Sequence, residues 1–215
     1  MVSIAVYIDV PFATFRQSYA REYGKTYPVP PPSTVYGMLL SLVGETDANK
    51  HCGISLAIAM LSQPQKSVVL RQLRRFKVKD IHDARNTVPE HQEILSNTKF
   101  MVWLASGNDE AQPTLTERIQ QVLANPSFNK RFGCLYLGES NDLVNVVKIV
   151  SDDYQSEARQ WLIQDNRGEL TLPYWVDHVG SKGTLRQRYT LRKMSTQSPP
   201  ELSWTIIQAP AYKDR

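Results

Sequence analysis

The sequence predicts an α+β fold in which a sheet of mostly antiparallel strands carries two helices on one side. Strand and helix patterns follow one another in the order β-α-β-(insert)-β-α-β, which is the ferredoxin-like, RRM-like plan. The insert, at about 62–98, is basic and too long for a turn, so we expect it to form a β-hairpin thumb. The remainder, 141–215, has mainly strand patterns and predicts a smaller, mostly β part.

A strand, a long loop and a helix begin the chain. Apolar and polar residues alternate over 2–10, as in a half-buried strand. A loop follows at about 11–32 and ends in the proline-rich segment PVPPP. Ser33 is placed to cap the next helix, and Gly44 is placed to end it. The apolar face of that helix comprises Val35, Leu39, Leu42 and Val43.

Three strands and a second helix complete the first 140 residues. Alternation over 54–60 predicts one strand, and KFMVWLA at 99–105, apolar on both faces, predicts a central one. Thr114 and Glu117 form a capping-box pattern before the helix. GCLYLG at 133–138 predicts another buried strand.

The insert predicts a charged, two-stranded finger that projects from the sheet. As an extended arm, SVVLRQLRRFKVK at 67–79 places Arg71, Arg75, Lys77 and Lys79 on one face and Arg74 on the other. C-terminal strand patterns lie at 143–150, 172–178, 184–192 and 202–207, and these strands either form a second small sheet or extend the first. The chain thus divides into a domain at 1–140, with the inserted thumb at about 62–98, and an extension at 141–215.

Composition excludes several classes of protein. The chain has 215 residues, of which 41% are hydrophobic and 21% charged, as in a folded globular protein. No apolar run reaches the roughly 18 residues of a membrane span. Residues 1–10 lack the basic start of a secretory signal, and two cysteines are too few for a disulfide framework. We expect a cytoplasmic protein with reduced thiols.

The net charge of +4 is unevenly spread along the chain. Residues 66–99 contain eight basic and four acidic residues, and residues 180–215 contain seven basic and two acidic ones. The segment between them, 100–179, is acidic, with six basic and eleven acidic residues. Clustered positive charge favours contact with a polyanion such as a nucleic acid. The alternative is that these charges only solvate an exposed face.

The loop and helix start at 12–37 combine aromatic and basic side chains. Aromatic rings stack on unpaired bases, and arginine and lysine bind phosphates, so this segment suits single-stranded RNA or DNA. The alternative is that the rings anchor a long loop on the core. Backbone N–H groups near the helix start can bind a phosphate or be capped by Ser33. The candidate RNA-binding residues here are Arg16, Tyr19, Arg21, Lys25, Tyr27, Ser33 and Tyr36.

Two further groups of basic residues are candidate RNA contacts. In the thumb they are Arg71, Arg74, Arg75 and Lys77, and in the C-terminal part they are Lys182, Arg186 and Arg188. In TLRQRYTLR the arginines share one strand face, which can follow a phosphate backbone. The alternative is a strand whose exposed arginines prevent edge pairing.

Signals of catalysis are weak. His82 and His91 lie in the basic insert and are possible general acids or bases in RNA cleavage. His51-Cys52 has no second pair at zinc spacing, and no P-loop, GxSxG or HExxH motif occurs. We therefore expect no catalytic residue, no metal site and no cofactor.

Several motifs resemble the Cas-five (Cas5) family of CRISPR-associated proteins. The N-terminal strand, the arginine- and tyrosine-bearing loop and YPVPPPSTVYGMLLSLVG at 27–44 resemble its N-terminal signature. FGCLYLGES at 132–140 resembles the family's second glycine-containing strand, and the insert at 66–98 lies where the family carries its thumb. The likeness covers about 1–140, and it also extends to the branch found in type I-B-like and related systems, some of them tied to transposons.

The resemblance implies a non-catalytic RNA-binding subunit of a type I CRISPR surveillance complex (Cascade). Family members hold the repeat-derived 5′ handle of the CRISPR RNA, with the thumb at the kink between handle and spacer. They join the backbone subunit (Cas-seven) and the large subunit (Cas-eight) for RNA-guided DNA targeting in antiviral defence. The implied partners are therefore CRISPR RNA, these subunits and target DNA near the PAM.

Two alternatives stay open from the sequence. One branch of the family is a metal-independent endoribonuclease that processes precursor CRISPR RNA with a tyrosine, lysine and histidine set. A third hypothesis is a protein scaffold that contacts RNA little.

Overall fold

The computed structural model describes residues 3–18, 23–74, 77–128, 131, 133–150, 159–177 and 183–210. These residues form ten strands and two α-helices. The strands are β1 (Ser3–Ala13), β2 (Tyr23–Gly24), β3 (Ser55–Met60), β4 (Gln65–Arg74), β5 (Thr87–Ala105), β6 (Val146–Val150), β7 (Arg159–Gln164), β8 (Leu170–Val176), β9 (Thr184–Met194) and β10 (Trp204–Ile206). The helices are α1 (Pro32–Leu42) and α2 (Leu115–Ala124).

All ten strands belong to one sheet, whose main order is β6-β1-β5-β3-β7-β9-β8. β10 pairs with β3, and β2 and β4 pair with β5. Every pairing is antiparallel except that of β2 with β5. The C-terminal strands therefore extend the first sheet, which decides between the two sequence alternatives. The predicted α+β class is confirmed, while the division at residue 140 stays a prediction.

The two faces of the sheet carry different cores. On one face, alternate residues of β1, including Ile4, Val6 and Ile8, pack with the buried faces of both helices. On the other face, Trp103 and Trp161 pack against each other with ring centroids 4.7 Å apart. The predicted alternation in the first strand is thus confirmed, and the strand runs on to Ala13.

Helix α1 begins two residues earlier than the sequence pattern predicts. Its N-cap is Pro31, and no side chain caps it. The prediction that Ser33 is the cap is wrong, because Pro31 has the extended dihedral angles of a cap and Pro32 starts the helix with a favourable fixed φ. The N–H groups of Thr34 and Val35 bind the Pro31 carbonyl at 3.0 and 3.1 Å.

The ends of the helices otherwise follow the sequence signals. Gly44 follows α1 with a φ of 68°, a left-handed conformation that glycine adopts without strain. At the start of α2, Thr114 and Glu117 form the predicted capping box. Both signals are local, and both predictions are confirmed.

The segment 133–138 is a loop and not the predicted strand. Leu135 and Leu137 are buried, but only Tyr136 forms a bridge, with Leu143. Gly133 and Gly138 have φ values of 74° and 109°, which turn the chain away from an extended path. The strand beside β1 is instead β6. We call residues 133–144 the glycine loop.

The thumb is the predicted two-stranded hairpin, made of β4 and the first half of β5. The pairing runs from Gln65 opposite Ser96 to Arg74 opposite Thr87. Because β5 is one strand from Thr87 to Ala105, with a local irregularity at Asn97, whose φ is 60°, the thumb is an extension of the central strand of the sheet. Lys77 lies beyond β4, where its N–H donates to the Asn86 side chain at 2.7 Å.

No helix among the described residues is long and apolar enough to cross a membrane.

Candidate nucleic-acid interface

A cleft with a volume of about 350 Å³ lies where four segments of the chain meet. These segments are the loop after β1, the start of α1, the glycine loop and the adjoining ends of β8 and β9. Arg16 and Glu139 contribute to one part of its wall, and Trp175 and Arg186 to another. Ser33, in the first turn of α1, is half-buried and also lines the cleft.

Arg16 is held in place by the thumb. Its Nη2 donates to Oε1 of Glu90 on β5 at 3.0 Å, and its side chain remains 41% exposed. The backbone around it is fixed by Thr26, which forms a bridge with Arg16 and whose hydroxyl accepts the Phe15 N–H at 2.8 Å. Thr26 in turn donates its N–H to Glu93 of β5 at 3.0 Å. The loop therefore presents an accessible guanidinium at the cleft.

Arg186 approaches the cleft from β9. Its Nη2 donates to Oγ of Ser18 at 2.8 Å, so β9 contacts the loop that carries Arg16. Arg188, on the same strand, is exposed and lies near the carbonyl of Asn166 at 3.5 Å, outside the cleft lining. Of the predicted β9 arginines, Arg186 is the one that the fold brings to the cleft.

The floor of the cleft is aromatic and fixed. The Tyr36 hydroxyl donates to the Ala48 carbonyl at 2.8 Å, and its ring lies 6.4 Å from that of Trp175, centroid to centroid. Burial raises the pKa of Tyr36 far above its ordinary value, so the hydroxyl stays neutral. Tyr27 is also buried. The rings of Tyr27 and Tyr36 therefore anchor the loop and helix α1 on the core. This agrees with the alternative to base stacking that the sequence left open for this segment.

The glycine loop is clamped to the loop after β1 by Asp142. One oxygen of this buried carboxylate accepts the Thr14 N–H at 2.7 Å and the Glu139 N–H at 2.9 Å. Gly138 makes the approach possible, because a Cβ there would lie 2.5 Å from the Thr14 carbonyl oxygen. Burial raises the pKa of Asp142 above its ordinary value. The clamp places Glu139 at the rim of the cleft.

A row of alternating charges joins the thumb to the cleft. Arg71 and Glu90 are opposite each other in the β4–β5 pairing, so their side chains project on the same face. Arg71 also donates to Glu139 at 3.3 Å, and Glu90 accepts from Arg16. Both arginines are partly exposed, and a guanidinium carries five N–H donors, so each can bind a phosphate as well as its carboxylate.

The predicted site residues fall into three groups. Arg16, Tyr27, Ser33, Tyr36 and Arg186 line the cleft, and Arg71 reaches its rim through Glu139. Lys25, Arg74, Lys77 and Arg188 are exposed elsewhere, on the loop, the thumb and β9. Tyr19, Arg21, Arg75 and Lys182 lie outside the described residues.

Sequence reasoning missed Glu90, Glu139 and Trp175. The Trp175 position follows from the pairing of β8 with β9, which no local pattern reveals. Glu139 follows directly after Gly138, and a glycine next to a charged residue in a loop was the available signal. The position of Glu90 opposite Arg71 follows from the register of the β4–β5 pairing, which the sequence does not reveal.

Of the aromatic residues in the loop, those exposed among the described residues are Phe12 and Tyr23. Phe12 is 61% exposed at the end of β1. Tyr23 is 38% exposed in β2, and its ring lies nearly parallel to that of His91, at 15° with centroids 6.3 Å apart. The predicted stacking chemistry is thus available at Tyr23 and not at the buried Phe15.

The histidines within the described residues occupy separate places. His51 is fully buried, bound through Nδ1 to Asp109 at 2.9 Å and through Nε2 to Arg118 at 3.0 Å. His82 and His91 are exposed on the thumb. Within the described ranges, no three histidine, cysteine, aspartate or glutamate side chains gather in a way that would hold a metal ion.

Comparison with known proteins identifies the family. Residues 3–195 match the family described as "CRISPR-associated protein (Cas_Cas5)". The CRISPR-associated protein Cas5 of Myxococcus xanthus (strain DK1622) is 35% identical over 184 residues, covering 84% of this chain and 86% of that protein.

Two solved structures share the fold. A chain of "CRISPR RNA-guided surveillance complex" has a TM-score of 0.63 at 12% identity, covering 94% of this chain and 96% of that one. "Crystal structure of Cas protein" has a TM-score of 0.56 at 14% identity, covering 89% and 94%. With the family match spanning most of the sequence, the chain belongs to the CRISPR-associated Cas5 family.

Proposed function

We propose that this chain is a non-catalytic RNA-binding subunit of a type I CRISPR surveillance complex and holds the 5′ handle of the CRISPR RNA in the cleft. The observation that carries the proposal is the convergence of Arg16 and Arg186 on one cleft from segments far apart in sequence. Their guanidinium groups supply two phosphate contacts, and half-buried Ser33 adds a hydroxyl to the same lining.

The surrounding surface is consistent with this proposal. The thumb adds exposed cations at Arg74 and Lys77. RNA in single-stranded form is recognised by stacking, phosphate contacts and hydrogen bonds to splayed bases.

The proposal includes a ferredoxin-like, RRM-like core. It rests on the order β6-β1-β5-β3 with antiparallel neighbours, and on α1 and α2, which contribute to the same core cluster. The structural relative with a TM-score of 0.63 is a chain of an RNA-guided surveillance complex, which supports membership of such a complex. The partners we propose are CRISPR RNA, the backbone subunit (Cas-seven), the large subunit (Cas-eight) and target DNA near the PAM, in the cytoplasm, for antiviral defence.

The cleft is tested with a double variant, Arg16→Ala with Arg186→Ala. The tagged protein is purified from its host, and the RNA that accompanies it is sequenced and quantified. Wild type should retain uniform small RNAs with one repeat-derived 5′ end. The double variant should retain less of this RNA, and the slope of log affinity against log salt should fall by about 2, one for each lost phosphate contact.

The matched control is Lys50→Ala with Arg167→Ala, which also removes two exposed positive charges but lies outside the cleft. It should leave RNA retention and the salt slope near wild type. Equal losses in both double variants, or no RNA with wild type, would contradict the cleft proposal.

We also propose that the chain does not cut RNA. What supports this is that His51 is enclosed by Asp109 and Arg118, whereas His82 and His91 lie on the thumb and not in the cleft lining. The test incubates the protein with repeat RNA in EDTA. A discrete product that disappears in His82→Ala or His91→Ala would establish the endoribonuclease alternative.

A further inference from the structure

Three strands of five or more residues form free edges of the sheet in the part of the chain that the structure describes. There, β4, β6 and β8 each pair with a neighbour on one side only. An edge strand turns alternate N–H and C=O groups away from its sheet, where they can pair with another chain. Proteins usually prevent this pairing by making the edge strand short, or by placing a proline, a bulge or a charge in it.

Two of these edges have such protection, and β4 does not. β8 contains Pro173 and a register shift between Pro173 and Trp175. β6 has five residues, with Lys148 at its centre. β4 has ten residues, no proline and a single register along its whole length. We call the side of β4 that faces away from β5 the open edge of the thumb.

The centre of the open edge is apolar and accessible on both faces. Val68 and Leu70 lie on one face of the thumb, with exposed fractions of 51% and 61%. Val69 lies on the other face and is 39% exposed. An added strand would therefore find apolar neighbours above and below its backbone, in addition to free backbone groups. An exposed, regular and apolar edge of this kind is a site for strand pairing.

The ends of the open edge are positively charged. β4 carries Lys66, Arg71 and Arg74 and has no acidic residue. The carboxylates opposite β4 in the thumb, Glu90 and Glu93 of β5, are buried and already accept hydrogen bonds from cations of this chain. The cations near the two ends of β4 therefore complement acidic side chains on an incoming strand.

We propose that the open edge of the thumb binds an extended segment of another protein, which has apolar residues at its centre and acidic residues at its ends. The segment adds a strand beside β4, and main-chain hydrogen bonds supply much of the affinity. Val68 and Leu70 contact its apolar side chains, and the cations of β4 pair with its acidic ends. This site is separate from the cleft and does not require RNA to be bound there.

Backbone and charge favour this occupant over a nucleic acid or a second copy of the chain. A nucleic acid has no alternating N–H and C=O groups at the spacing of a strand, so it could use only the cations. A second β4 would place three more cations against the first three, with no carboxylate on either strand. Like charges on paired strands are destabilising.

The experiment uses the full-length protein and a cyclic β-hairpin peptide as the probe. One arm of the peptide alternates valine and threonine between terminal glutamates, and the outer edge of its other arm is blocked by N-methylation. The cycle holds the free arm extended, which lowers the entropic cost of binding. Wild type should bind the probe in a fluorescence anisotropy titration. Hydrogen exchange should then show protection of β4 amides and no change in those of β8.

Two changes should weaken binding for different reasons. N-methylation of the outward amides of the free arm removes the donors that pair with β4 and should abolish binding, whatever the fold of any protein variant. Val68→Gln with Leu70→Gln removes the apolar contacts and should weaken binding about tenfold or more. The matched control is Leu202→Gln with Ile206→Gln, because these side chains have the same exposed fractions, 61% and 51%, outside the thumb. It should bind as wild type does.

Three outcomes would overturn the proposal. The first is equal affinity for the N-methylated and unmethylated probes, since the backbone edge would then contribute nothing. The second is protection of β4 amides by an oligouridylate but not by the hairpin, which would assign the edge to a nucleic acid. The third is protection that rises with protein concentration in the absence of the probe, together with a dimer in sedimentation, which would assign the edge to a second copy.

The same titration separates this proposal from the cleft proposal. Arg16→Ala with Arg186→Ala should bind the hairpin as wild type does, because neither residue lies on β4. Failure of the cleft proposal therefore leaves hairpin binding intact. Failure of the strand-pairing proposal leaves retention of the handle intact.

Discussion

Asp142 shows how one side chain can fix the geometry of a site that it does not enter. Its carboxylate joins Thr14 to Glu139 through two backbone N–H bonds, and it thereby sets both the loop after β1 and the rim of the cleft. A carbonyl-bearing side chain of the same shape can accept the same two bonds. A methyl group cannot.

We therefore expect Asp142→Ala and Asp142→Asn to differ. Alanine leaves two N–H groups without their acceptor, so the free energy of unfolding should fall by about 1–3 kcal/mol for each buried group. Asparagine should stay within about 1 kcal/mol of wild type at neutral pH. Urea unfolding followed by circular dichroism measures both, and equal losses would show that the clamp does not depend on the acceptor.

The difference in the free energy of unfolding between Asp142→Asn and wild type should change with pH in a defined direction. Burial raises the folded-state pKa of Asp142 above its ordinary 3.8, so the folded protein binds this proton more tightly than the unfolded chain does. Its contribution to stability is present below pH 3.8 and is lost as the pH rises through the folded pKa. The Asp142→Asn variant should consequently gain stability relative to wild type over that rise. A constant difference between the two proteins would contradict the assignment.

At this scale, sequence reasoning identified residue types better than their orientation. It placed Tyr27 and Tyr36 among RNA contacts, yet both rings are buried. A loop rich in aromatic residues looks the same whether its rings point outward or inward, because only the tertiary packing decides which do. Tyr23 and Arg16, from the same segment, are accessible.

The thumb is the element whose contribution can be tested by itself. Arg74→Ala with Lys77→Ala removes two exposed cations near the end of the hairpin. We expect RNA affinity to fall and the salt slope to decrease by about 2, because both charges are placed to neutralise phosphates. Filter binding with CRISPR RNA over a range of salt concentrations measures this.

The charge-preserving variant Arg74→Lys with Lys77→Arg serves as the control for this prediction. It should keep the slope of wild type, since the number of neutralised phosphates is unchanged. A slope that does not change in the alanine variant would remove the thumb tip from the RNA contacts.

Element boundaries were predictable where a local signal sets them. The capping box at Thr114 and the left-handed Gly44 are such signals. The prediction of a strand at 133–138 was wrong, although its alternating leucines do point inward, because positive φ values at its glycines prevent strand pairing. β7 was missed because RQWLIQ is short and its buried residues, Trp161, Leu162 and Ile163, are consecutive and show no alternation.

At the scale of the whole molecule, the continuity of the sheet leads to a prediction about truncation. β6 pairs with β1, β7 pairs with β3, and both lie C-terminal to residue 140. A chain that ends at residue 140 would expose both edges of the core strands and lose Trp161 and Tyr189 from the interior. We expect this fragment not to fold cooperatively, as measured by thermal unfolding and by dispersion of amide signals in NMR. A cooperative transition would establish 1–140 as an independent domain.

The site could be predicted only in part because its contacts are long-range. Arg16 and Glu90 are 74 residues apart, and Arg71 and Glu139 are 68 apart. Composition and charge indicated basic segments and a stacking chemistry, which the sequence contains locally. Which arginine meets which carboxylate depends on strand register and on the glycine loop, which a single sequence does not specify.

One strand, β5, serves both as the centre of the sheet and as half of the thumb. The pairing of β5 with β1 spans the junction between the two, from Leu95 to Ala105 with a gap only at Asn97, and so ties the base of the thumb to the core. The hairpin therefore has a fixed length, about 33 Å for the ten residues of β4. Adding two residues to each arm would keep every side chain on its face and lengthen the hairpin by about 7 Å. The distance between the thumb tip and the sheet can therefore change during evolution without changes at either end of the hairpin.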